Sequence, residues 1–62
     1  MNYRWAVLVG NKPPMYPSDD MEGIRKTVRA GHQWQVLIDT DDLFIFTYML
    51  GHLVIYYKEP LP

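Results

Sequence analysis

The sequence contains no cysteine among its 62 residues, which excludes disulfides and thiolate metal sites. Histidine is also scarce, and His32 and His52 alone are too few for a typical structural zinc site. A chain of this length forms one domain, residues 1–62, and buries only about 60% of its unfolded surface. Without disulfides or a metal, such small domains usually gain support from oligomerisation or from a permanent partner.

An excess of basic residues is missing as well. The net charge is −1 and the sequence pI is about 6.0, which argues against a general phosphate-binding surface. We find no cleavable secretory signal, because the first apolar stretch ends at Gly10 and contains Arg4. Together with the lack of cysteine, this favours a cytoplasmic location.

Hydrophobic and aromatic residues are abundant, at 48% and 15% of the chain, which is typical of a folded protein. The first segment, residues 2–9, alternates as a strand does, with Tyr3, Trp5, Val7 and Val9 on one face. A proline-rich loop follows at residues 11–18, where neither a helix nor a central strand can form. Met15 and Tyr16 lie between its prolines, and either pack back on the domain or form a recognition loop.

A short amphipathic helix is predicted from about Asp20 to Ala30. Asp19 is its expected N-cap, with Glu22 completing a capping box and pairing with Lys26 one turn later. Gly31 suits a left-handed C-cap. The apolar stripe of Met21, Ile24 and Val28 is narrow, so the helix depends on tertiary packing.

Three further strands are predicted, at residues 32–39, 43–50 and 53–57. Thr40-Asp41-Asp42 forms the first turn, Gly51-His52 forms a two-residue hairpin, and residues 59–62 form a frayed tail. The uncharged run Leu43–Tyr57 has a membrane segment as its alternative, but it is shorter than the ~20 residues that a spanning helix needs. The sequence therefore predicts an α+β fold of order β-α-β-β-β, with an antiparallel meander and one helix on one face.

The last hairpin is apolar on both faces, which is unusual for a sheet with one solvated side. In the predicted register one face carries Phe44, Phe46, Tyr48, Leu50, Leu53, Ile55 and Tyr57, and the other carries Leu43, Ile45, Thr47, Met49, Val54 and Tyr56. A single short helix covers one face only, so the second face indicates a partner or a homodimer. Coiling into a small barrel, or tyrosines lining a wet surface, are the alternatives.

The acidic turn, Asp39, Asp41 and Asp42, is the sharpest polar feature of the sequence. Three carboxylates in four residues suit Mg²⁺ or Ca²⁺, which would allow a small metal-dependent enzyme. The sequence around them lacks the glycine and distal glutamate of a calcium loop. A solvated β-turn, or an acidic contact for a basic partner, explains the cluster better, so we predict no metal site and no cofactor.

The helix carries a basic group, Arg25, Lys26 and Arg29, of which the two arginines share a face. These residues are the candidate contacts for nucleic acid, although a solvated helix surface is the favoured explanation at this net charge. Ser18 and Thr40 are the candidate nucleophiles, and neither has a histidine near it in sequence. Catalysis is therefore not predicted.

The function that the sequence favours is a non-enzymatic protein-binding module. Stand-alone proteins of this size often occlude a site on a larger complex, as inhibitors encoded by phages or mobile elements do. The expected partner-binding residues are Met15, Tyr16, Tyr48, Tyr56, Tyr57, Asp39, Asp41 and Asp42, because aromatic side chains anchor interfaces and acidic ones steer association. A homodimer through the sheet is expected alongside a protein target, and no membrane association is expected.

Overall fold

The computed structural model describes residues 2–18, 20–48 and 51–61. Along the chain its elements are β1 (Tyr3–Val9), α1 (Met21–Ala30), β2 (Trp34–Asp39), β3 (Leu43–Tyr48) and β4 (His52–Pro60). The four strands form one antiparallel sheet in the order β1-β4-β3-β2. The prediction of an α+β fold with an antiparallel meander and one helix is confirmed.

The first and last strands pair over the whole length of β1, from Tyr3 opposite Pro60 to Val9 opposite Val54. This pairing corrects two predictions, because β4 continues past Tyr57 to Pro60 and residues 59–61 of the tail are paired with β1 and its preceding residue rather than frayed. Each residue of β4 from Val54 to Pro60 has a partner in β1, and the Leu61 amide donates to the Asn2 carbonyl at 2.9 Å. Pro62 lies outside the described residues.

The hairpin between β3 and β4 is longer than predicted, and this changes the register. Tyr48 pairs with His52, so three residues rather than two separate the strands. Gly51 closes the turn with φ +77°, a conformation that suits glycine, while Met49 and Leu50 lie outside the described residues. A one-residue change of register exchanges the faces of a strand. The predicted grouping of β3 with β4 residues was therefore wrong.

A bulge interrupts the pairing of β2 with β3 between Val36 and Ile38. Trp34 and Val36 remain on the face that the helix covers, but Ile38 lies opposite Ile45 and so belongs to the other face. The predicted single face of Trp34, Val36 and Ile38 is thereby corrected. An extra residue in one strand has this effect because side chains alternate with period two.

The helix begins at Met21, one residue later than predicted. Asp20 is the N-cap, and its carboxylate accepts a 2.7 Å hydrogen bond from the Gly23 amide. Asp19, the predicted cap, lies outside the described residues. Glu22 completes no capping box with Asp20, being only two residues on, but its carboxylate lies 3.5 Å from Lys26 as the four-residue spacing predicts.

Gly31 follows the helix in an extended conformation, φ −83° and ψ 145°, so the predicted left-handed cap was wrong. A Cβ atom at this position would lie 2.2 Å from two atoms of the Trp34 indole. Glycine is therefore required here for the close approach of Trp34 and not for its backbone freedom.

The core lies between α1 and the face of the sheet that the helix covers, which we call the helix face. Its buried side chains come from the helix and from three strands: Val7, Met21, Val28, Phe44, Phe46 and Val54. Phe44 is fully buried. Trp34 extends the core at the edge of the sheet, where its ring meets Phe46 edge to face at 5.2 Å between centroids. Within the described residues, no helix has the length and apolar character to cross a membrane.

The proline-rich loop packs back against β1. Met15 pairs with Val7 through two backbone hydrogen bonds of 2.8 and 2.9 Å, which extends the sheet by one bridge beyond β1. The neighbouring prolines lack amide donors, so the pairing does not continue along the loop. The loop thereby covers the middle of the β1 edge, whereas β2 forms the opposite edge of the sheet.

Candidate protein-binding surface

The face of the sheet opposite the helix, which we call the open face, is mostly apolar. Strand register places these side chains on it: Arg4, Ala6, Leu8, Gln35, Ile38, Leu43, Ile45, Thr47, Leu53, Ile55, Tyr57 and Glu59. Leu53 and Ile38 are 42% and 41% exposed and the other large apolar side chains of this face are half-buried, with only Ala6 fully buried, whereas Val54 and Phe46 on the helix face are 5% and 3% exposed. The two faces of the same strands therefore differ in what covers them.

Four aliphatic side chains form a continuous row across the open face. Leu8 lies opposite Ile55, Ile55 opposite Ile45, and Ile45 opposite Ile38, so each strand contributes one residue. Neighbouring strands are about 4.8 Å apart, and the row therefore spans roughly 14 Å. The β2 bulge completes this aliphatic row, because without it Ile38 would point to the helix side.

One corner of the open face is polar and holds the proline-rich loop. The Arg4 Nε atom lies 2.8 Å from a Glu59 carboxylate oxygen, and the Arg4 guanidinium also donates to the Tyr16 hydroxyl at 3.1 Å. The same guanidinium lies 3.9 Å from the centre of the Tyr16 ring. Tyr16 is thus positioned beside the open face, with 50% of its surface exposed.

The hydrogen bonds of this corner shift the pKa of two of its groups. Hydrogen bonding to Arg4 first, and then to Tyr16, lowers the pKa of Glu59 below its ordinary value. Hydrogen bonding to Glu59 raises the pKa of the Tyr16 hydroxyl above its ordinary value. Arg4 and Glu59 therefore remain a pair of opposite charges, and among the described residues they are the charged side chains that the register assigns to this face.

The acidic turn does not bring its carboxylates together. Asp39 lies on the helix face, where it pairs with Arg29 and where one of its oxygens lies 3.0 Å from the Arg25 Nε atom. Asp42 lies 3.2 Å from the Lys58 ammonium, and Asp41 is exposed. Across the described part of the chain, no three His, Asp or Glu side chains are arranged to hold a metal ion.

The basic group of the helix is largely engaged within the protein. Arg25 lies over the core, 5.6 Å from the ring centres of Trp5 and Phe44, and donates to the Thr40 carbonyl at 2.7 Å. Arg29 donates to Asp39, and Lys26 is paired with Glu22. Each of the three cations thus has a carboxylate beside it, which reduces the positive charge presented to a phosphate.

The predicted tyrosine contacts are divided between the two faces. Tyr57 lies on the open face opposite Ala6, whereas Tyr48 and Tyr56 lie on the helix face and pack against the core. Met15 and Tyr16 are 47% and 50% exposed on the loop. Of the predicted contact residues, Tyr57 belongs to the open face and Tyr16 adjoins it.

A cleft of about 490 Å³ lies on the helix side, between α1 and the sheet. It is lined by Asp20, Gly23, Ile24, Thr27, Val28, Trp34, Phe46 and Tyr56. The carboxylate of Asp20, its one charged lining residue, already caps the helix. Of the predicted partner-binding residues, only Tyr56 lines this cleft.

The aliphatic row was missed as a site by the sequence reasoning, although its residues were all assigned to strands. The predicted hairpin was one residue too short, which grouped Ile55 with Phe44 and Phe46. The signal that was present is glycine at the last position of a three-residue loop, a common arrangement in hairpins. The bulge at Leu37 has a weaker signal, namely that the alternation of β2 breaks there, with an apolar residue at a position where a polar one is expected.

Neither protein-family models nor curated proteins nor solved structures show a match to this chain.

Proposed function

We propose that this chain is a non-catalytic protein-binding module whose contact surface is the open face of the sheet. The observation that carries the proposal is the unequal covering of the two faces. The helix buries one face, while the other presents the aliphatic row, in which Ile38 is exposed and Leu8, Ile45 and Ile55 are half-buried without a covering element among the described residues. A contiguous apolar patch on a small protein is typical of an interaction site.

The contact surface that we propose on this chain is flat and apolar at its centre. The row is rimmed by polar groups, with Arg4, Glu59 and Tyr16 at one corner and Gln35 and Thr47 towards the β2 edge. An apolar centre with a polar rim is the usual anatomy of a protein interface. Tyr16 extends this surface onto the loop, since an amphipathic aromatic ring serves well as an anchor.

The proposed mode of action is occlusion of a site on a larger protein, as an inhibitor of the type carried by phages or mobile elements. The acidic turn supports this mode, because Asp41 and Asp42 lie at the same end of the sheet as the polar corner. Exposed carboxylates there would attract a basic rim on the target and raise the association rate. The cytoplasm is the proposed location, in keeping with a chain that has no cysteine.

The arrangement of potential catalytic groups supports a non-catalytic role. The Thr40 hydroxyl donates to the Leu43 carbonyl and accepts from the Asp42 amide, so it is engaged in the turn. His52 packs against Tyr48, with 5.5 Å between ring centres, at the opposite end of the sheet from the acidic turn. These groups form no nucleophile–base pair among the described contacts.

Site-specific photo-crosslinking in the native cell tests the proposal. A photoreactive residue at position 55 should yield a discrete crosslink to a protein other than this chain, and one at position 27, on the exposed helix surface, should not. Added wild-type chain should compete for this product, and an Ile55→Lys variant should not compete. Equal crosslinking from both positions, or competition by the variant, would contradict the open face as the contact surface.

A further inference from the structure

The chain exposes more surface than a monomer of its mass ordinarily does. Its accessible surface is 4688 Å², whereas a folded monomer of 7.3 kDa exposes about 4,200 Å² on the usual scaling with mass. The excess is roughly 500 Å² per chain, which is more than half of the ~800 Å² that each partner of a stable interface buries. An interface of ordinary size on one face would bury more than this excess.

We propose that a second copy of this chain covers the open face, so that two sheets pack face to face about a two-fold axis. The inference rests on the proposed function, because it takes the same open face as the contact surface; the two copies would have to separate before that face could contact a larger protein. A two-fold interface uses one patch twice, and it therefore requires a patch that is complementary to itself.

The charge distribution of the open face meets this requirement. Its charged side chains, Arg4 and Glu59, are paired with each other at 2.8 Å and lie at a corner. The aliphatic row in the middle is uncharged, so two identical faces approach without repulsion between like charges. A strongly acidic or basic partner, in contrast, would find no opposite charge at the centre of this face.

The shape of the face is equally suited to a copy of itself. Two sheets of the same twist pack with their strands about 30° apart and their backbones about 10 Å apart. The two middle residues of the row, Ile45 and Ile55, would then lie nearest the axis and contact their counterparts. Leu53 and Ile38, each about two-fifths exposed in the single chain, would become buried at the sides.

Sedimentation equilibrium tests the self-association directly. The wild-type chain should sediment at twice its mass of 7.3 kDa at micromolar concentrations. Ile55→Lys places two ammonium groups near the axis and should weaken the dimer by about 100-fold or more. Met15→Lys is the control for the added charge, because Met15 is an exposed side chain on the loop and lies outside the aliphatic row, and it should leave the dimer unchanged.

A second measurement remains informative if Ile55→Lys does not fold. The chain has no native cysteine, so a single Ile55→Cys substitution provides a unique thiol with little change in the strand. A bis-maleimide of about 10 Å span, the usual distance between packed sheets, should join two such chains rapidly. Thr27→Cys, on the helix surface, should react with the reagent without forming the crosslinked dimer.

The outcomes separate this inference from the proposed function. A wild-type chain that stays monomeric overturns the second copy as occupant, while photo-crosslinking from position 55 still decides the proposed function. A dimer that Ile55→Lys leaves intact, with the thiol of the Ile55→Cys variant freely reactive, overturns the face-to-face arrangement. A dimer that is lost in Ile55→Lys, kept in Met15→Lys and crosslinked through the thiol of Ile55→Cys supports it.

Discussion

The carboxylate of Asp39 accepts a hydrogen bond from the guanidinium of Arg29 because the bulge in β2 turns residue 39 towards the helix. After the bulge Asp39 lies opposite Phe44, a core residue, and no longer belongs to the side on which regular alternation would place it. Arg25 approaches the same carboxylate from one turn earlier in the helix. One carboxylate thus links two turns of α1 to the edge strand.

The first prediction concerns the pH dependence of stability. Hydrogen bonding from Arg29 lowers the pKa of Asp39 below its ordinary value of 3.8. A depressed folded-state pKa gives stability that is present above the unfolded value and lost as the pH falls through the folded value. We expect the urea midpoint to be constant above about pH 5 and to fall below about pH 4.

Asp39→Asn should remove part of this acid-induced fall, and should lower the midpoint at neutral pH. Asp41→Asn, an exposed position on the same turn, should leave the pH profile unchanged. Glu59, whose pKa is lowered by Arg4 and Tyr16, accounts for the part that remains. Identical profiles for the wild type and Asp39→Asn would contradict the assignment of Asp39 to the helix face.

The second prediction concerns the core. Phe44 is fully buried, and truncation of such a residue to alanine typically costs about 3–5 kcal/mol. A domain of this length has a total stability of roughly 3–9 kcal/mol, so Phe44→Ala should lose at least about a third of it and show a much lower urea midpoint by circular dichroism. Leu37→Ala, at a 51% exposed position in the bulge, should change the stability by less than about 0.5 kcal/mol. A folded Phe44→Ala with the wild-type urea midpoint would contradict this core assignment.

The elements with a strong local signal could be predicted from the sequence. The alternation of residues 3–9 indicated the faces of β1, and the stripe of Met21, Ile24 and Val28 indicated the packed side of α1. The number of strands and the antiparallel meander of the last three followed from apolar runs separated by turn residues.

The candidate site could not be predicted in the same way, because it depends on register. Whether Ile55 shares a face with Ile45 or with Phe44 is decided by a single residue in the turn before β4. The place of Ile38 is decided by a bulge, and the apolar Leu37 that breaks the alternation of β2 does not by itself fix the register after it. Likewise, the pairing of β1 with β4 joins residues that lie far apart in the chain, for which local patterns carry no information.

The third prediction concerns the contact between Gly31 and Trp34. The backbone of Gly31 is extended, so alanine meets no backbone strain there, but its Cβ would lie 2.2 Å from the indole Cδ1 and Nε1 atoms. Gly31→Ala should therefore displace Trp34 and destabilise the fold by about 1–3 kcal/mol, with a shift in tryptophan fluorescence.

A double-mutant cycle isolates this contact. In a Trp34→Val background the indole is absent, so Gly31→Ala should lower the free energy of unfolding much less there than in the wild type. Urea unfolding gives the effect of Gly31→Ala in each background, and the difference between the two effects is the coupling free energy between residues 31 and 34. Equal costs in both backgrounds would show that alanine is rejected at position 31 for another reason.

The fourth prediction concerns nucleic acid, the alternative use of the helix surface. Arg25 and Arg29 share the carboxylate of Asp39, and Lys26 lies 3.5 Å from Glu22. Because these carboxylates offset the basic charge, we expect the wild-type chain to elute early from immobilised single-stranded DNA at about 50 mM salt, where phosphate contacts are strong.

Asp39→Asn sharpens the test because it frees both arginines without adding a positive side chain. Retention should then increase, and the further change Arg25→Glu with Arg29→Glu should abolish the increase. Strong retention of the wild type that rises steeply as salt is lowered, and that the two glutamates remove, would instead favour nucleic-acid binding. In that case the ion pairs with Asp39 must open when nucleic acid binds. In the complex, Asp39→Asn should then leave the free energy of unfolding unchanged.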